Sequence, residues 1–277
     1  MNDSPSPSPF PPLVRRLLLE DLRRAGIEDW LLETPPAEST PAESSSSVTP
    51  RVESPMTEKP VSRSAPAPSL PSLAEQLDDR LPGESLPLEA RIAALEELRQ
   101  QVAACTRCLE LVDYRTQTVF GVGNPMARLC FLGEAPGADE DRQGEPFVGR
   151  AGQLLTRIIE ACQMKREDVY ILNILKCRPP GNRTPLPAEA ANCRPFLDRQ
   201  LEIIRPEFLV CLGASAAQNL LDTTVPISKL RGRFYRYRGI RVLATYHPAY
   251  LLRNPSAKRL VWEDMKQLMR EMGIPVP

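Results

Sequence analysis

Four short apolar runs alternate with helical patterns, and this alternation constrains the fold more than any other feature of the chain. The strands are predicted at 129–133, 169–174, 208–213 and 241–246, and the helices between and after them at 150–163, 186–203, 214–221 and 257–272. Apolar strands separated by helices are typical of a parallel sheet that is covered on both faces. We therefore predict an α/β domain.

The first third of the 277 residues has a different composition. Residues 1–90 hold 16 of the 30 prolines and only two glycines, and large apolar residues are scarce from Thr34 to Ser72. Such a segment cannot bury enough surface to offset its ordering entropy. We predict a disordered tail over 1–87, with one possible short helix at 13–32 that binds a protein partner or packs on the body of the protein.

The domain is predicted to span 88–277 and to open with a helix from Leu88 to Ala104. The apolar residues that define its buried stripe are Ile92, Leu95, Leu98 and Val102. Residues 91–277 carry 27 Lys and Arg against 20 Asp and Glu, a balance that suits a polyanion such as nucleic acid. No run of about 18 apolar residues and no signal-peptide pattern occurs, so we expect a cytoplasmic protein with no membrane contact.

A glycine-rich loop follows the first predicted strand. Gly133 to Leu155 reads GEAPGADEDRQGEPFVGRAGQLL, with clustered acids and one aromatic residue, Phe147. In α/β sheets ligands bind outside the carboxyl ends of the strands, and glycines let the backbone approach them closely. His247, the sole histidine, follows the last strand at the same edge, as does Asn173. The sequence therefore predicts a functional site at this edge.

The seven cysteines fall into two sets. Cys130, Cys162 and Cys211 lie within apolar runs and are expected to be small core residues. The other four lie beside charged, polar or proline residues, as thiolate ligands do: Cys105, Cys108, Cys177 and Cys193. Their spacing fits an all-cysteine zinc site or an iron–sulfur cluster and does not decide between the two.

Together these motifs resemble the uracil-DNA glycosylase superfamily, in particular its iron–sulfur class, family four. The matching segments are CTRC at 105–108, RTQTVFGVGNPMARLCFLGEAPG at 115–137, GEPFVGRAGQLL at 144–155, NILKCRPPGNRTP at 173–185, NCRPFL at 192–197 and TYHPAYLLRNPSAK at 245–258. The resemblance implies a three-layer αβα domain with a four-stranded parallel sheet. It also implies a [4Fe–4S] cluster on Cys105, Cys108, Cys177 and Cys193, and removal of uracil from DNA in base-excision repair.

The resemblance also implies roles for individual residues. Phe147 would stack on the flipped uracil, Asn173 would read its edge, and His247 would hydrogen-bond O2. Glu134, Ala135 and Glu140 would line the uracil pocket, and the catalytic set would be His247, Glu134 and Asn173. Some relatives carry an acid at the position of Ala135, so the residue that activates water is left open.

DNA contacts are expected on either side of the pocket. A wedge that holds the duplex open is predicted from Tyr250, Leu251, Leu252 and Arg253. Candidate phosphate contacts are Arg150, Lys176, Arg183, Arg231, Arg233 and Lys258. We expect a monomer. The alternative function is a nucleic-acid-binding relative of the same fold that is non-catalytic or attaches covalently to DNA; the covalent relatives have a histidine near the first motif, which this chain lacks.

Overall fold

A six-stranded sheet forms the centre of the computed structural model, which describes residues 85–277. In chain order the strands are β1 (Val122–Gly123), β2 (Leu129–Gly133), β3 (Tyr170–Asn173), β4 (Phe208–Leu212), β5 (Phe234–Tyr237) and β6 (Ile240–Thr245). The spatial order is β1-β3-β2-β4-β6-β5. The predicted tail and the helix at 13–32 lie outside the described residues.

The four central strands, β3, β2, β4 and β6, are parallel, as predicted. The sheet is nevertheless larger than the predicted four strands, because β1 and β5 add an antiparallel strand at each edge. Neither edge strand could be predicted from an apolar run, and the reasons differ. β1 has only two residues, and β5 is only partly buried, within a segment rich in arginine.

Nine α-helices accompany the strands among the described residues: α1 (Leu88–Ala103), α2 (Leu109–Tyr114), α3 (Ala138–Gln143), α4 (Arg150–Ala161), α5 (Pro187–Ile204), α6 (Ala214–Leu221), α7 (Ile227–Leu230), α8 (Pro248–Arg253) and α9 (Lys258–Met272). Single 3₁₀ turns lie at Arg166–Asp168, Pro180–Asn182 and Pro255–Ala257. The five long helices were predicted. The short helices α2, α3, α7 and α8 were not, since four to six residues show no apolar period.

Two hydrophobic cores give the predicted three layers. One face of the sheet packs with α1, α5 and α6, through residues such as Leu95, Leu197 and Ala216. The other face packs with α4 and α9, through residues such as Leu155 and Val261. Successive β2 residues alternate between the two cores because strand side chains alternate in direction. Cys130, Cys162 and Cys211 are fully buried, which confirms them as core residues.

The buried stripe of α1 differs from the prediction by one position. Ile92 is 51% exposed, whereas Arg91 is buried and continues the stripe of Leu95, Leu98 and Val102. The Arg91 guanidinium donates hydrogen bonds to the carbonyls of Pro125 and Ile204. These bonds hold the positive group in a place where an apolar residue was expected.

The carboxyl ends of the parallel strands meet at one edge of the sheet. Gly133 lies opposite Asn173, and Thr245, two residues before His247, lies opposite Leu212. The predicted catalytic residues are therefore brought to one side of the domain. No helix within 85–277 has the length and apolar character needed to cross a membrane.

Candidate uracil pocket and thiol cluster

A cleft of about 480 Å³ opens at this edge of the sheet. The loops after β2, β3 and β6 and the start of α4 form its walls. It is lined by Glu134, Ala135, Pro136, Gly137, Glu140, Phe147, Ala151, Asn173, Pro179, Asn182, Arg183, His247, Ala249, Tyr250 and Arg253. All six residues predicted to contact uracil thus line one cavity.

Asn173 lies at the floor of the cleft with its side chain buried. Only 2% of the residue is exposed, and its Oδ1 accepts no hydrogen bond from any described residue. A buried amide oxygen without a donor is costly. The neighbouring strand accommodates this side chain through Gly133, where a Cβ would come within 2.3 Å of Asn173 Oδ1. The arrangement leaves an acceptor ready for a ligand N–H group.

Phe147 forms a wall of the cleft in an unusual backbone conformation. Its φ is 55°, in the left-handed region that non-glycine residues rarely occupy. Two features hold it there. The Glu140 carboxylate accepts hydrogen bonds from the backbone N–H groups of Gly137, Val148 and Gly149 at 3.0–3.1 Å. Gly152 of α4 lies against the Phe147 carbonyl, where a Cβ would be only 1.8 Å from the oxygen.

Glu140 therefore has a structural connection that the sequence did not indicate. Its two carboxylate oxygens tie the start of α3 to the segment that carries Phe147. Sequence reasoning placed Glu140 only in the lining of the pocket. A Glu three residues after the glycine that precedes a short helix is the one signal that was available, because a capping-box acid occupies that position.

His247 stands opposite Phe147, with 5.6 Å between the ring centroids. It is the N-cap of α8, and its Nδ1 accepts a hydrogen bond from Ala249 N at 3.1 Å. Burial, with a smaller contribution from Arg253, lowers the pKa of His247 to about 4. The imidazole is therefore neutral near pH 7, and because Nδ1 is an acceptor its proton is assigned to Nε2. His247 is a ready N–H donor.

Glu134 and Ala135 follow β2 directly and line the same cavity. Burial raises the pKa of the Glu134 carboxyl above its ordinary value. The backbone here is fixed, since Glu134 O accepts a hydrogen bond from Leu175 N at 3.1 Å. Among the groups that line the cleft are thus the Glu134 carboxyl of raised pKa, the buried Asn173 amide and a neutral imidazole.

The mouth of the cleft is formed in part by α8, where the wedge was predicted. Tyr250 is 38% exposed and stacks on Tyr246, with 5.0 Å between the ring centroids. Leu252 is half-buried and Arg253 is exposed. Leu251 does not fit the prediction, because its side chain is fully buried in the core on the α9 side of the sheet. A side chain in that position cannot enter a DNA duplex.

Several of the candidate phosphate contacts are also corrected. Lys176 and Lys258 are buried, with 1% and 2% of each residue exposed. Arg183 is paired with Glu110 and Glu189, and Arg231 is paired with a buried acid of α9. These four residues were predicted to contact phosphates, but the two lysines are buried and the two arginines are paired with acids of the same fold. Arg150 and Arg233 remain exposed.

The four cysteines proposed as ligands line a second, smaller cavity together. N–H groups point at three of the sulfurs: Arg115 Nη1 lies 2.9 Å from Cys177 Sγ, Asn192 Nδ2 lies 3.4 Å from Cys108 Sγ, and Lys176 N lies 3.4 Å from Cys193 Sγ. Donors around sulfur are the arrangement that stabilises thiolate ligands. Arg115 was missed by sequence reasoning, which considered only the ligands.

The four thiols contribute to the walls of one shared space. The elements that contribute to this space are α2, the loop after β3 and α5. Four thiols with N–H donors are a donor set that suits either a structural zinc ion or an iron–sulfur cluster.

Comparison with known proteins identifies a family over the residues that form the cleft. A family model described as the uracil DNA glycosylase superfamily matches residues 120–266. The chain is 45% identical to a type-4 uracil-DNA glycosylase from Archaeoglobus fulgidus over 183 residues, which cover 63% of this chain and 92% of the relative. It is 48% identical to a type-4 uracil-DNA glycosylase from Thermotoga maritima over 177 residues, 62% of this chain and 92% of the relative.

A more distant group also matches. A type-5 uracil-DNA glycosylase from Pyrobaculum aerophilum is 30% identical over 208 residues, which cover 63% of this chain and 90% of the relative. The higher identity to the type-4 enzymes agrees with the motifs at the pocket and at the thiols. The chain therefore belongs to the uracil-DNA glycosylase superfamily and, within it, to the type-4 group.

Proposed function

We infer that this protein is a uracil-DNA glycosylase, which flips uracil out of DNA and hydrolyses the N-glycosidic bond. Membership of the type-4 group supports this function. The main structural observation that supports uracil binding in the cleft is the buried Oδ1 of Asn173, which has no hydrogen-bond donor among the described residues. The flipped base would supply that donor.

The Asn173 amide accounts for the choice of base. Its Oδ1 accepts a hydrogen bond from uracil N3–H, and its NH₂ group donates to O4. Cytosine presents an acceptor at N3 and a donor at its 4-amino group, so the same amide faces two mismatched contacts. A site built to hydrogen-bond one pattern discriminates strongly, because the wrong base leaves buried polar groups unpaired.

The two rings above the floor act on the same base. Phe147 stacks on the uracil ring, and its backbone conformation, held by Glu140, keeps the face of the ring toward the cleft. His247 donates from Nε2 to uracil O2, where negative charge develops as the bond from N1 to C1′ breaks. A neutral donor fixed in advance stabilises such an oxyanion with little reorganisation.

Hydrolysis completes the reaction. The sugar develops oxocarbenium character as the base leaves, and water adds at C1′. Glu134 is the carboxylate of the catalytic set, and its raised pKa brings it nearer the range of an effective general base. It accepts a proton from the attacking water, while Ala135 beside it leaves space and supplies no second acid.

DNA is bound at the mouth of the cleft. Tyr250 and Leu252 fill the gap left by the flipped base, and Arg253 with Arg150 neutralises the phosphates on the two sides. Leu251 is left out of this role because it belongs to the core. Flipping costs roughly a few kcal/mol, which such insertion and the pocket contacts offset.

The cluster of this proposal is [4Fe–4S], held by Cys105, Cys108, Cys177 and Cys193. When bound, the cluster supplies a rigid cross-link between chain segments rather than a step of the reaction. Cys177 lies four residues after Asn173, so fixing the thiol also fixes the loop that follows the base-reading strand.

The function is tested by release of free uracil from an oligonucleotide with one uracil. We expect release by the wild type and a strong loss in Asn173→Asp, since a carboxylate cannot donate to O4; the variant is also tested on cytosine. Asn124→Asp is the matched control, because Asn124 lies in the loop after β1 and uses its Oδ1 to accept from Met126 N, which a carboxylate also does. No release by the wild type would contradict the function. Equal release by Asn173→Asp would remove Asn173 from base recognition.

The cluster is tested by metal analysis of protein purified without oxygen. We expect about four irons per chain and a brown colour, lost in Cys105→Ser but kept in the control Cys162→Ala, whose thiol is in the core. One zinc and no iron per chain would overturn the proposal.

A further inference from the structure

A fully buried carboxylate, Asp264, lies directly behind the loop that carries His247. The residue has no exposed surface, although it belongs to the otherwise amphipathic helix α9. Three hydrogen bonds engage it. Thr245 Oγ1 donates to Oδ2 at 2.6 Å, Arg231 Nε donates to Oδ2 at 3.1 Å, and Arg231 Nη2 donates to Oδ1 at 2.7 Å.

This network contacts the two residues that directly precede His247. Thr245 is the last residue of β6, and it is fully buried. The Arg231 guanidinium also lies 5.7 Å from the centre of the Tyr246 ring, which in turn stacks on Tyr250 at the mouth of the cleft. Asp264 is therefore connected to the two residues before His247, through a hydroxyl on one and through an arginine on the other.

His247 depends on this backbone for its position. Its ring accepts a hydrogen bond from Ala249 N and lies opposite the Phe147 ring, and a Cβ on the neighbouring Gly213 would lie 3.0 Å from His247 Cβ. Gly213 N donates to Thr245 O at 2.8 Å. A shift of residues 245 and 246 would carry the imidazole with it.

Stability alone is a weak explanation for a buried ion pair here. Removing a carboxylate and a guanidinium from water costs several kcal/mol, and apolar replacements of similar volume are often as stable. Burial raises the pKa of Asp264 to about 6 even though Arg231 and Thr245 oppose the rise. What the pair adds over apolar packing is a fixed direction for each of its hydrogen bonds. One of these bonds holds Thr245, and the other two hold Arg231, whose guanidinium lies beside the Tyr246 ring.

We propose that Asp264 is a positioning residue, which fixes His247 for its donor role through Thr245 and Arg231. This inference rests on the proposed function of His247. It also replaces the sequence-based expectation for Arg231, which was a phosphate contact: the guanidinium is turned toward the acid of α9 and only 17% of its side chain is exposed.

The rate of uracil excision tests the proposal in three variants. Asp264→Asn and Thr245→Val should each lower the single-turnover rate by roughly 10- to 100-fold, because small misplacements of a catalytic group have effects of that size. Thr245→Ser keeps the hydroxyl and should stay near the wild-type rate. The affinity for uracil-containing DNA should change little in all three, since phosphate contacts dominate binding.

Asp198→Asn is the control for a purely structural effect. Asp198 is a partly buried acid that binds Arg194 and Tyr237, none of which lines the cleft, so its loss should affect stability and leave the excision rate unchanged. A wild-type rate in Thr245→Val, or an equal rate loss in Asp198→Asn, would overturn the positioning role. Thr245→Val carries the test if Asp264→Asn does not fold.

Imidazole NMR gives a readout that does not depend on activity. His247 is the only histidine, so in protein without a histidine tag the ring ¹⁵N signals belong to it alone. We expect the Nε2-protonated tautomer in the wild type and changed ring shifts in Asp264→Asn and Thr245→Val, but not in Asp198→Asn. Unchanged shifts would overturn the inference. A wild type that releases no uracil would instead contradict the proposed function, while the NMR comparison would still test the positioning.

Discussion

The candidate uracil pocket and the thiol cavity both contain residues at or just after the end of β3, yet the polar atoms of these residues differ in whether they have hydrogen-bond partners within the protein. Asn173 ends β3 with an amide oxygen that has no donor among the described residues, whereas Cys177, four residues later, already receives an N–H group from Arg115. A site for a transient ligand keeps hydrogen-bonding capacity open, since the ligand completes it. A site for a resident group satisfies its ligand atoms within the protein, because the group never leaves.

This contrast predicts that the two sites can be separated experimentally. Substitutions in the pocket should change the rate of excision and leave the iron content unchanged. Substitutions around the thiols should change the retention of iron first. Overlap between the two sets of effects would mean that the cavities form one unit.

The largest effect is expected from His247→Ala. Loss of one fixed donor to a developing oxyanion should lower the single-turnover rate by roughly 10²- to 10³-fold. DNA affinity and iron content should stay near their wild-type values, measured on the same preparation. A normal rate would remove His247 from the mechanism, and a slow rate accompanied by lost iron would make its role structural.

A smaller effect is expected on the thiol side from Arg115→Gln. This change removes the charged donor to Cys177 Sγ and the bonds from Arg115 to the carbonyls of Ala103 and Cys105. Outer donors of this kind affect metal affinity by about 10- to 100-fold, so iron should be lost faster to a chelator. The excision rate per intact cluster should not change. Arg99→Gln on α1 is the control, and iron loss at the wild-type rate in Arg115→Gln would show that the donor is dispensable.

The pH dependence of stability offers a test of the neutral imidazole. Because the folded pKa of about 4 lies below the 6.5 of an exposed histidine, the unfolded chain binds a proton between these values that the folded chain does not. The free energy of unfolding should therefore fall as the pH drops from 6.5 to 4, by at most about 3 kcal/mol.

His247→Gln isolates this contribution. Asp264, whose folded pKa of about 6 lies above that of an exposed Asp, has the opposite sign: its protonation favours the folded state as the pH falls. The wild type and His247→Gln both contain Asp264, so its contribution cancels when their free energies of unfolding are subtracted. The difference, measured by urea unfolding at several pH values, therefore reports the contribution of His247. A constant difference from pH 4 to 7 would show that the imidazole is not buried neutral.

The smallest effect is expected from removal of the N-terminal region. Every motif of the two sites lies beyond residue 100, so a protein starting at residue 85 should excise uracil within a factor of a few of the full chain. A loss above roughly tenfold, about 1.4 kcal/mol of barrier, would mean that the segment 13–32 contributes to the active domain. Iron content provides the parallel check on the thiol side.

The central strands were predictable because their residues are apolar on both faces, and the sites followed because strand ends share an edge. The features that the sequence did not predict are those whose burial or contacts depend on residues distant in the chain. Ile92 and Arg91 are neighbours on α1, and the arginine is the buried one because acceptors that include the carbonyls of Pro125 and Ile204 surround its guanidinium. Asp264 likewise resembles any acid on an amphipathic helix until Thr245 and Arg231 are placed beside it.

Some missed features did have local signals. Pro248 directly after His247 is a typical first helical residue, and it could have indicated α8 with the histidine as its cap. The burial of Leu251 then follows, because one face of such a helix must rest on the core. Nothing local, by contrast, shows that Arg115 contacts Cys177, which lies 62 residues away.

The pairing of β2 with β3 continues past the ends of both strands. Ile174 N donates to Gly133 O at 3.0 Å, and Leu175 N donates to Glu134 O at 3.1 Å. The two backbone segments that carry Glu134 and Asn173 therefore move as part of the sheet rather than as loops. The amide protons of these two segments should exchange with solvent as slowly as those of the central strands. In each case exchange requires the sheet itself to open. A bound base must therefore fit the backbone around Glu134 and Asn173 as it stands, because these segments have little freedom to rearrange.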